Sequence, residues 1–426
     1  MRETSTRAAS ARDGGLTLHR ARAAWPYAAL DVPALRAAGH RPSPLRQFVF
    51  KMRSRCNLAC TYCYVYEMAD RGWREQPGAM DAATVRAAAE RIAEHAVAHR
   101  LDRVDVVLHG GEPLLASDEE LVRPVRAVRR ALRRRASAAT VTASVQTNGT
   151  LITPARLDAL AAAGIRVGVS LDGGLERHNR ERADHVGRSR FDDAVRGVRL
   201  LARRPGSFAG VLAVIDLDHD PVEVYTSLAD LGPPSLGLLL PLANWSNPPP
   251  PGRRPASRTP YADWLVAVFE QWWHEPVRRT RIRIFEEIIA LLLGVPAATE
   301  TLGAAPVTTV VIETDGSLEQ GDSLKSAYDG AARTGCHVAS HSFDEVLQHP
   351  GFVARQLGLR GLADACRACD LVRVCGGGHY PHRYRAGAGF RQPSVYCADL
   401  DALVRHVAAA LDRQVRAHRA AAGAAS

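Results

Sequence analysis

Cys56-Asn57-Leu58-Ala59-Cys60-Thr61-Tyr62-Cys63 places three cysteines with three and then two residues between them. The chain has eight cysteines: after Cys63 none follows until Cys336, and Cys366, Cys369, Cys375 and Cys397 form a second group. Two tight groups, unlike a spread disulfide framework, point to metal in a reducing compartment. Three thiolates can hold three irons of a [4Fe–4S] cluster and leave the fourth iron open for chemistry. Zinc usually takes a fourth protein ligand, and no nearby His or Cys completes the first group. The second group, Cys366-x2-Cys369-x5-Cys375 and then Cys397, supplies four thiolates. These saturate either an electron-carrying cluster or a tetrahedral zinc. Cys336 reads as a small buried apolar residue.

The elements that must position these groups alternate. Phe48-Val49-Phe50 predicts a strand running into the first cysteine loop, and helical periodicity follows over 82–99. Strands are predicted at 104–108, near 143–145, and at 165–170, 210–215 and 236–240; helices fall at 119–134, 153–163, 191–203 and 221–228. Such β/α alternation implies a parallel sheet with crossover helices. The loaded turns all follow strand ends: His109-Gly110-Gly111-Glu112-Pro113, Gln146-Thr147-Asn148-Gly149 and Ser170-Leu171-Asp172-Gly173. That favours an α/β fold of the partial (β/α)6 TIM-like barrel type, whose sites gather at the strand C-termini. The paired glycines would let backbone approach a ligand.

The reading divides the chain into a flexible leader at 1–45, a barrel at 46–246, a proline-rich linker with bridging helices at 247–299, an auxiliary-cluster domain at 300–400, and a C-terminal helix and tail at 401–426. The bridging helices are placed near 261–274 and 284–293, with a strand at 307–312. The net charge of +10 is scattered, and only Lys51 and Lys325 are lysines. This distribution argues for solvated arginine-rich faces rather than a nucleic-acid surface. The sequence contains no run of 18 apolar residues and no secretory signal block, so a cytoplasmic protein without membrane or nucleic-acid partners is expected.

At the first cysteine group the sequence resembles the radical S-adenosylmethionine superfamily. The resemblance implies a [4Fe–4S] cluster on Cys56, Cys60 and Cys63 whose open iron chelates S-adenosylmethionine, with Tyr62 by the adenine and Gly110, Gly111, Glu112, Asn148, Ser170 and Arg182 around the cofactor. The second group resembles the SPASM extension of peptide-modifying members and implies one auxiliary [4Fe–4S] cluster on Cys366, Cys369, Cys375 and Cys397. Where that extension carries further cysteines this chain has Gly321 and His379, so a first auxiliary cluster is expected to be absent.

Longer segments are similar to the FxsB-type cyclophane-forming maturases. They include Cys60 to Glu67, His109 to Leu115, Gln146 to Leu151, Val167 to Gly173, Cys375 to Tyr384 and Pro393 to Cys397. That resemblance implies a cross-link between an aromatic ring carbon and the Cβ of a residue two positions later in a precursor peptide. It also implies an external electron donor such as flavodoxin or ferredoxin. Asp322 is the candidate base, with Asp315 as its rival. The competing expectations are thioether formation, epimerisation or sulfatase maturation within the same chemistry, and an iron–sulfur RNA-binding or RNA-modifying protein outside it.

Overall fold

The computed structural model describes residues 30–252 and 257–424. Most of the expected leader, 1–29, lies outside the described residues, as do 253–256 of the proline-rich stretch and the last two residues of the tail.

The predicted alternation is present. In chain order it runs β1 (Gln47–Arg53), α1 (Ala82–Ala98), β2 (Arg103–Gly110), α2 (Asp118–Arg134), β3 (Thr140–Thr147), α3 (Pro154–Ala162), β4 (Ile165–Ser170), α4 (Phe191–Ala202), β5 (Phe208–Val214), α5 (Pro221–Ala229) and β6 (Ser235–Leu239). Local chemistry sets the helix starts. Asp81 accepts from the Thr84 N–H at 2.7 Å to open α1, and Ser117 with Glu120 forms a capping box on α2. The apolar stripe of α2, Leu121, Val125, Val128 and Leu132, is buried. Phe48, Phe50, Val106, Leu108, Val145, Val167, Val169 and Val211 fill the core between sheet and helices.

One sheet of ten strands runs in the order β10-β9-β8-β1-β2-β3-β4-β5-β6-β7, where β7 is Arg281–Ile282, β8 Thr309–Ile312, β9 Ser317–Glu319 and β10 Arg333–His337. β1 to β8 pair in parallel, and only the β8-β9-β10 meander is antiparallel. The sheet is an open, parallel-dominated α/β barrel. Its two edges are covered by later segments: β8 pairs with β1 from Gln47↔Thr309 to Phe50↔Ile312, and β7 pairs with β6. Both satisfy backbone groups that an exposed edge would leave free. Through β8 the C-terminal region enters the barrel's own sheet, which brings residues after 312 beside β1.

The bridging helices α6 (Pro260–Trp273) and α7 (Arg283–Leu292) and the long α8 (Cys397–Ala424) pack together. The buried Asp399 of α8 accepts from the Tyr261 and Ala262 N–H groups at 2.9 and 3.0 Å, so α8 caps the start of α6. Asp399→Ala removes the acceptor from two donors at a buried helix start and is expected to lower unfolding stability by about 1–2 kcal/mol. A thermal melt unchanged from the parent would count against this tie.

Candidate active site

The chain leaving β1 carries Cys56, Cys60 and Cys63 across the C-terminal ends of the strands, and it is held from two sides. The Ala59 N–H donates to the Ala183 carbonyl at 2.8 Å and the Thr61 N–H to Glu181 at 3.1 Å; His185 Nε2 lies 2.9 Å from the Cys56 carbonyl. From the other side the turn after β2 docks, with the Gly111 N–H on the Arg53 carbonyl at 2.8 Å and the Glu112 N–H on Arg55 at 3.0 Å. A Cβ on Gly111 would stand 1.9 Å from Tyr66 Oη and 2.4 Å from the Arg55 carbonyl. The sequence reading has these glycines approaching a ligand; the close approach found here is to the cysteine segment itself.

The three thiols are half-buried and lie within electrostatic reach of one another. Burial first, and neighbouring charges after it, push Cys56 up to about 12 and Cys60 to about 11, and burial raises Cys63 as well. Thiols so disposed are protonated until a metal displaces their protons. The Leu58 N–H and Asn148 Nδ2 donate to Cys56 Sγ at 3.4 and 3.8 Å, contacts that favour a ligating thiolate.

Tyr62, Asp172 and Arg182 form one buried unit. The Tyr62 hydroxyl donates to Asp172, Arg182 Nη1 donates to Tyr62 Oη at 2.7 Å, and Arg182 Nη2 donates to the Ser170 carbonyl at 2.8 Å. Arg182 is thus no solvated surface arginine. Ser170 Oγ accepts from Gln146 Nε2 at 2.9 Å. Glu112 is fully buried; its carboxylate takes the Leu114 N–H, the Thr147 hydroxyl and the Asn148 N–H at 2.9, 2.6 and 2.8 Å. It ties together the turns after β2 and β3. Asn148 Nδ2 also donates to Asn57 Oδ1 at 2.8 Å, bringing the third turn onto the cysteine loop. A cavity of about 650 Å³, lined by Tyr62, Asp172, Val214, Leu217, Pro241 and Tyr261 among others, opens beside this unit.

The cysteines of the second group lie within electrostatic reach of one another: mutual repulsion links Cys366 with Cys369 and Cys397, and Cys375 with Cys366 and Cys397. The turn after Cys375 is unusual. Gly376, Gly377 and Gly378 all have left-handed backbone, with φ of 60, 79 and 68°, and buried Arg383 collects their carbonyls at 2.9, 3.0 and 2.5 Å. Asp322 stands at the barrel mouth. Its Oδ2 is 2.9 Å from Lys51 Nζ and 3.7 Å from His109 Nδ1, and its Oδ1 is 3.4 Å from Lys325 Nζ. Burial pushes this carboxyl up, but Lys51 and Lys325 override it and hold Asp322 well below the usual carboxylate range. Asp315 instead accepts from the Ser317 N–H and hydroxyl at 2.8 and 2.7 Å, in an exposed turn.

Residues 51–225 match the family model of the Radical SAM superfamily. Those residues form its radical SAM domain. The chain is 28% identical over 373 residues to the serine-type anaerobic sulfatase-maturating enzyme of Klebsiella aerogenes, taking in 84% of this chain and 87% of that enzyme. The structure of native anSMEcpe with bound AdoMet and Cp18Cys peptide has a TM-score of 0.72 at 22% identity, covering 88% of this chain and 99% of that one. Streptococcus suis SuiB bound to precursor peptide SuiA has a TM-score of 0.54 at 14% identity, covering 92% and 83%. These two likenesses are of fold.

Within this radical SAM domain and its extension, sequence reasoning missed Lys51, His109, Glu313, Glu319 and Lys325 around Asp322, and Arg383 beneath the glycine turn. The signal for the first group was present, because both lysines of the chain end there. Two outcomes test the site. Replacing Cys56, Cys60 and Cys63 together by Ala is expected to abolish reductive cleavage of S-adenosylmethionine while about four of about eight irons per chain remain; cleavage at the parent rate would overturn the assignment. Gly111→Ala, whose Cβ meets backbone, is expected to prevent loading of the first cluster, as read by iron content and visible absorbance after anaerobic reconstitution.

Proposed function

We propose that this protein is a radical SAM peptide maturase that joins an aromatic ring carbon to the Cβ of a residue two positions downstream in a ribosomally made precursor peptide. The named peptides in the anSMEcpe and SuiB structures support a peptide substrate. Cys56, Cys60 and Cys63 would hold the catalytic [4Fe–4S] cluster. When loaded, it supplies with S-adenosylmethionine a 5′-deoxyadenosyl radical able to remove a Cβ hydrogen atom. Tyr62, Ser170 and Arg182 orient the cofactor beside the large cavity, while Gly110, Gly111, Glu112 and Asn148 position the cysteine loop that carries it. Cys366, Cys369, Cys375 and Cys397 would hold one auxiliary cluster, whose chemistry is that of a one-electron acceptor. An external flavodoxin or ferredoxin supplies the initiating electron.

The observation that carries the cross-linking reading is Asp322, ionised at the barrel mouth between two lysines. A carboxylate held this low takes a proton only from a strong acid. A ring carbon that has gained a substituent and lost an electron is such an acid, because losing its proton restores aromaticity. An alcohol or thiol becomes one only after its carbon has likewise lost a hydrogen atom and an electron, so the product, not the base, separates the two reactions. The specific observation favouring a second reading, oxidation of a sulfatase residue, is the 28% identity to the Klebsiella aerogenes enzyme.

Co-expression with the short open reading frame beside its gene, followed by mass spectrometry, separates the two. A peptide lighter by two mass units with a new carbon–carbon bond is expected; a formylglycine, a thioether or a D-residue rejects the cross-link. Asp322→Asn, nearly isosteric, is expected to continue forming 5′-deoxyadenosine while cross-linked peptide falls by about 100-fold. Undiminished cross-linking in that variant would move the base elsewhere.

A further inference from the structure

Lys51 and Lys325 are the only lysines in the chain, and both are buried with their ammonium groups on Asp322. Everywhere else the chain uses arginine for fixed positive charge. Lysine differs in having a compact ammonium with three donors that can release and regain a proton, which guanidinium does not do. Lys325 Nζ stands 2.5 Å from Glu313 Oε1, 2.9 Å from Glu319 Oε2 and 3.4 Å from Asp322 Oδ1. One ammonium therefore bridges three carboxylates whose oxygens lie within 4.8 Å of one another, and it fills the place a divalent ion would take.

Charge counting gives this cluster a direction. Two ammonium groups face three carboxylates, and His109 adds nothing because burial first, then Lys51, lowers it to about 4. Full ionisation would leave one uncompensated negative charge in a nearly water-free site, a state relieved by binding one proton. Glu319 is where it settles: burial pushes this carboxyl well above the usual range, and Glu313 and Asp322 push the same way against the pull of Lys325. Asp322, with an ammonium on each oxygen, holds a proton least well.

We propose that Lys325 and Glu319 form an internal proton relay behind Asp322, which moves the proton that Asp322 accepts from the substrate onto Glu319; this rests on the reading of Asp322 as the base. In the transfer a Lys325 N–H breaks first as an O–H forms on Glu319 Oε2, and the freed lone pair of Lys325 then takes the proton of Asp322, an N–H forming as the carboxyl O–H breaks. Lys325 ends as the ammonium it began as, and no electron moves. The relay accepts only while Glu319 is ionised. Cross-linked peptide per 5′-deoxyadenosine therefore rises as pH increases through the neutral range, and falls as acid fills the store.

The test uses the cluster-loaded enzyme in two measurements. Infrared spectra over a pH series are expected to show a protonated-carboxyl C=O band with a midpoint above about 6.5, far from the ordinary value of about 4.3 for glutamate. Glu319→Gln removes this band and Asp322→Asn keeps it. With the co-expressed precursor peptide as substrate, Glu319→Gln and Lys325→Arg are each expected to retain iron and 5′-deoxyadenosine formation. Their peptide product per 5′-deoxyadenosine falls about tenfold or more and no longer rises with pH. Glu319→Asp partly restores both. If Glu319→Gln and Lys325→Arg keep the parent yield and pH profile while Asp322→Asn is inactive, the relay is overturned and the base stands. Full activity in Asp322→Asn overturns both. Loss of iron, radical formation and product in parallel in both relay variants also overturns the relay, leaving a structural ion cluster.

Discussion

The backbone approach between the β2 turn and the segment leaving β1 determines where the chemistry can happen. Gly111 lies so close to Arg55 and Tyr66 that any side chain would strike them. Because the strands beneath are parallel and in register, Phe50 opposite Leu108, the two segments leave the sheet side by side. The glycine pair then lets the turn hydrogen-bond to Arg53 and Arg55 before the first cysteine is reached. Glu112 passes the constraint on by binding the backbone and hydroxyl of Thr147-Asn148, and Asn148 returns it to Cys56 and Asn57. Three strand ends and one loop become a single hydrogen-bonded unit, so the three thiols inherit their placement from the sheet.

The electrostatics at the mouth follow from the same topology. β8 takes the free edge of β1, which delivers Glu313, Glu319, Asp322 and Lys325 to the side of Lys51 and His109. No element of the barrel alone could assemble that group. Buried charges need partners, and here the pairing crosses from the barrel to the C-terminal region. The active end of the fold is therefore incomplete without the residues after 312.

What was legible in the sequence was what depends on local pattern. The β/α alternation and strands β1 to β6 followed from apolar periodicity, and the two cysteine groups from spacing, whereas the short β7, β9 and β10 did not. The fate of the strand at 307–312 was not legible, because four apolar residues predict a strand without saying which edge it joins. The glycines of the β2 turn were seen, but not the packing of Arg55 and Tyr66 against Gly111, since sequence shows freedom of backbone and not what approaches it. Arg182 could not be told from the many solvated arginines until its contacts with Tyr62 and Ser170 were known. The lysine network was hidden for the opposite reason: two residues some 270 positions apart carry no periodic signal, although their rarity was in plain view.

The same reasoning explains what stands where the SPASM pattern would place further cysteines. A Cβ on Gly321 would lie 3.6 Å from Arg355 Nη2, and His379 is followed by Tyr380, whose ring lies 5.6 Å from the Arg355 guanidinium carbon. Arg355 donates to Glu300 Oε2 at 3.0 Å and to the Gln320 carbonyl at 2.9 Å. The cavity left between Glu300, Arg355 and Tyr380 is about 20 Å³, room for about one water. The Arg355–Glu300 ion pair thus lies beside Gly321, with Arg355 buried and Glu300 partly exposed. Gly321 and His379 both lie beside Arg355, so the two positions belong to one packing arrangement.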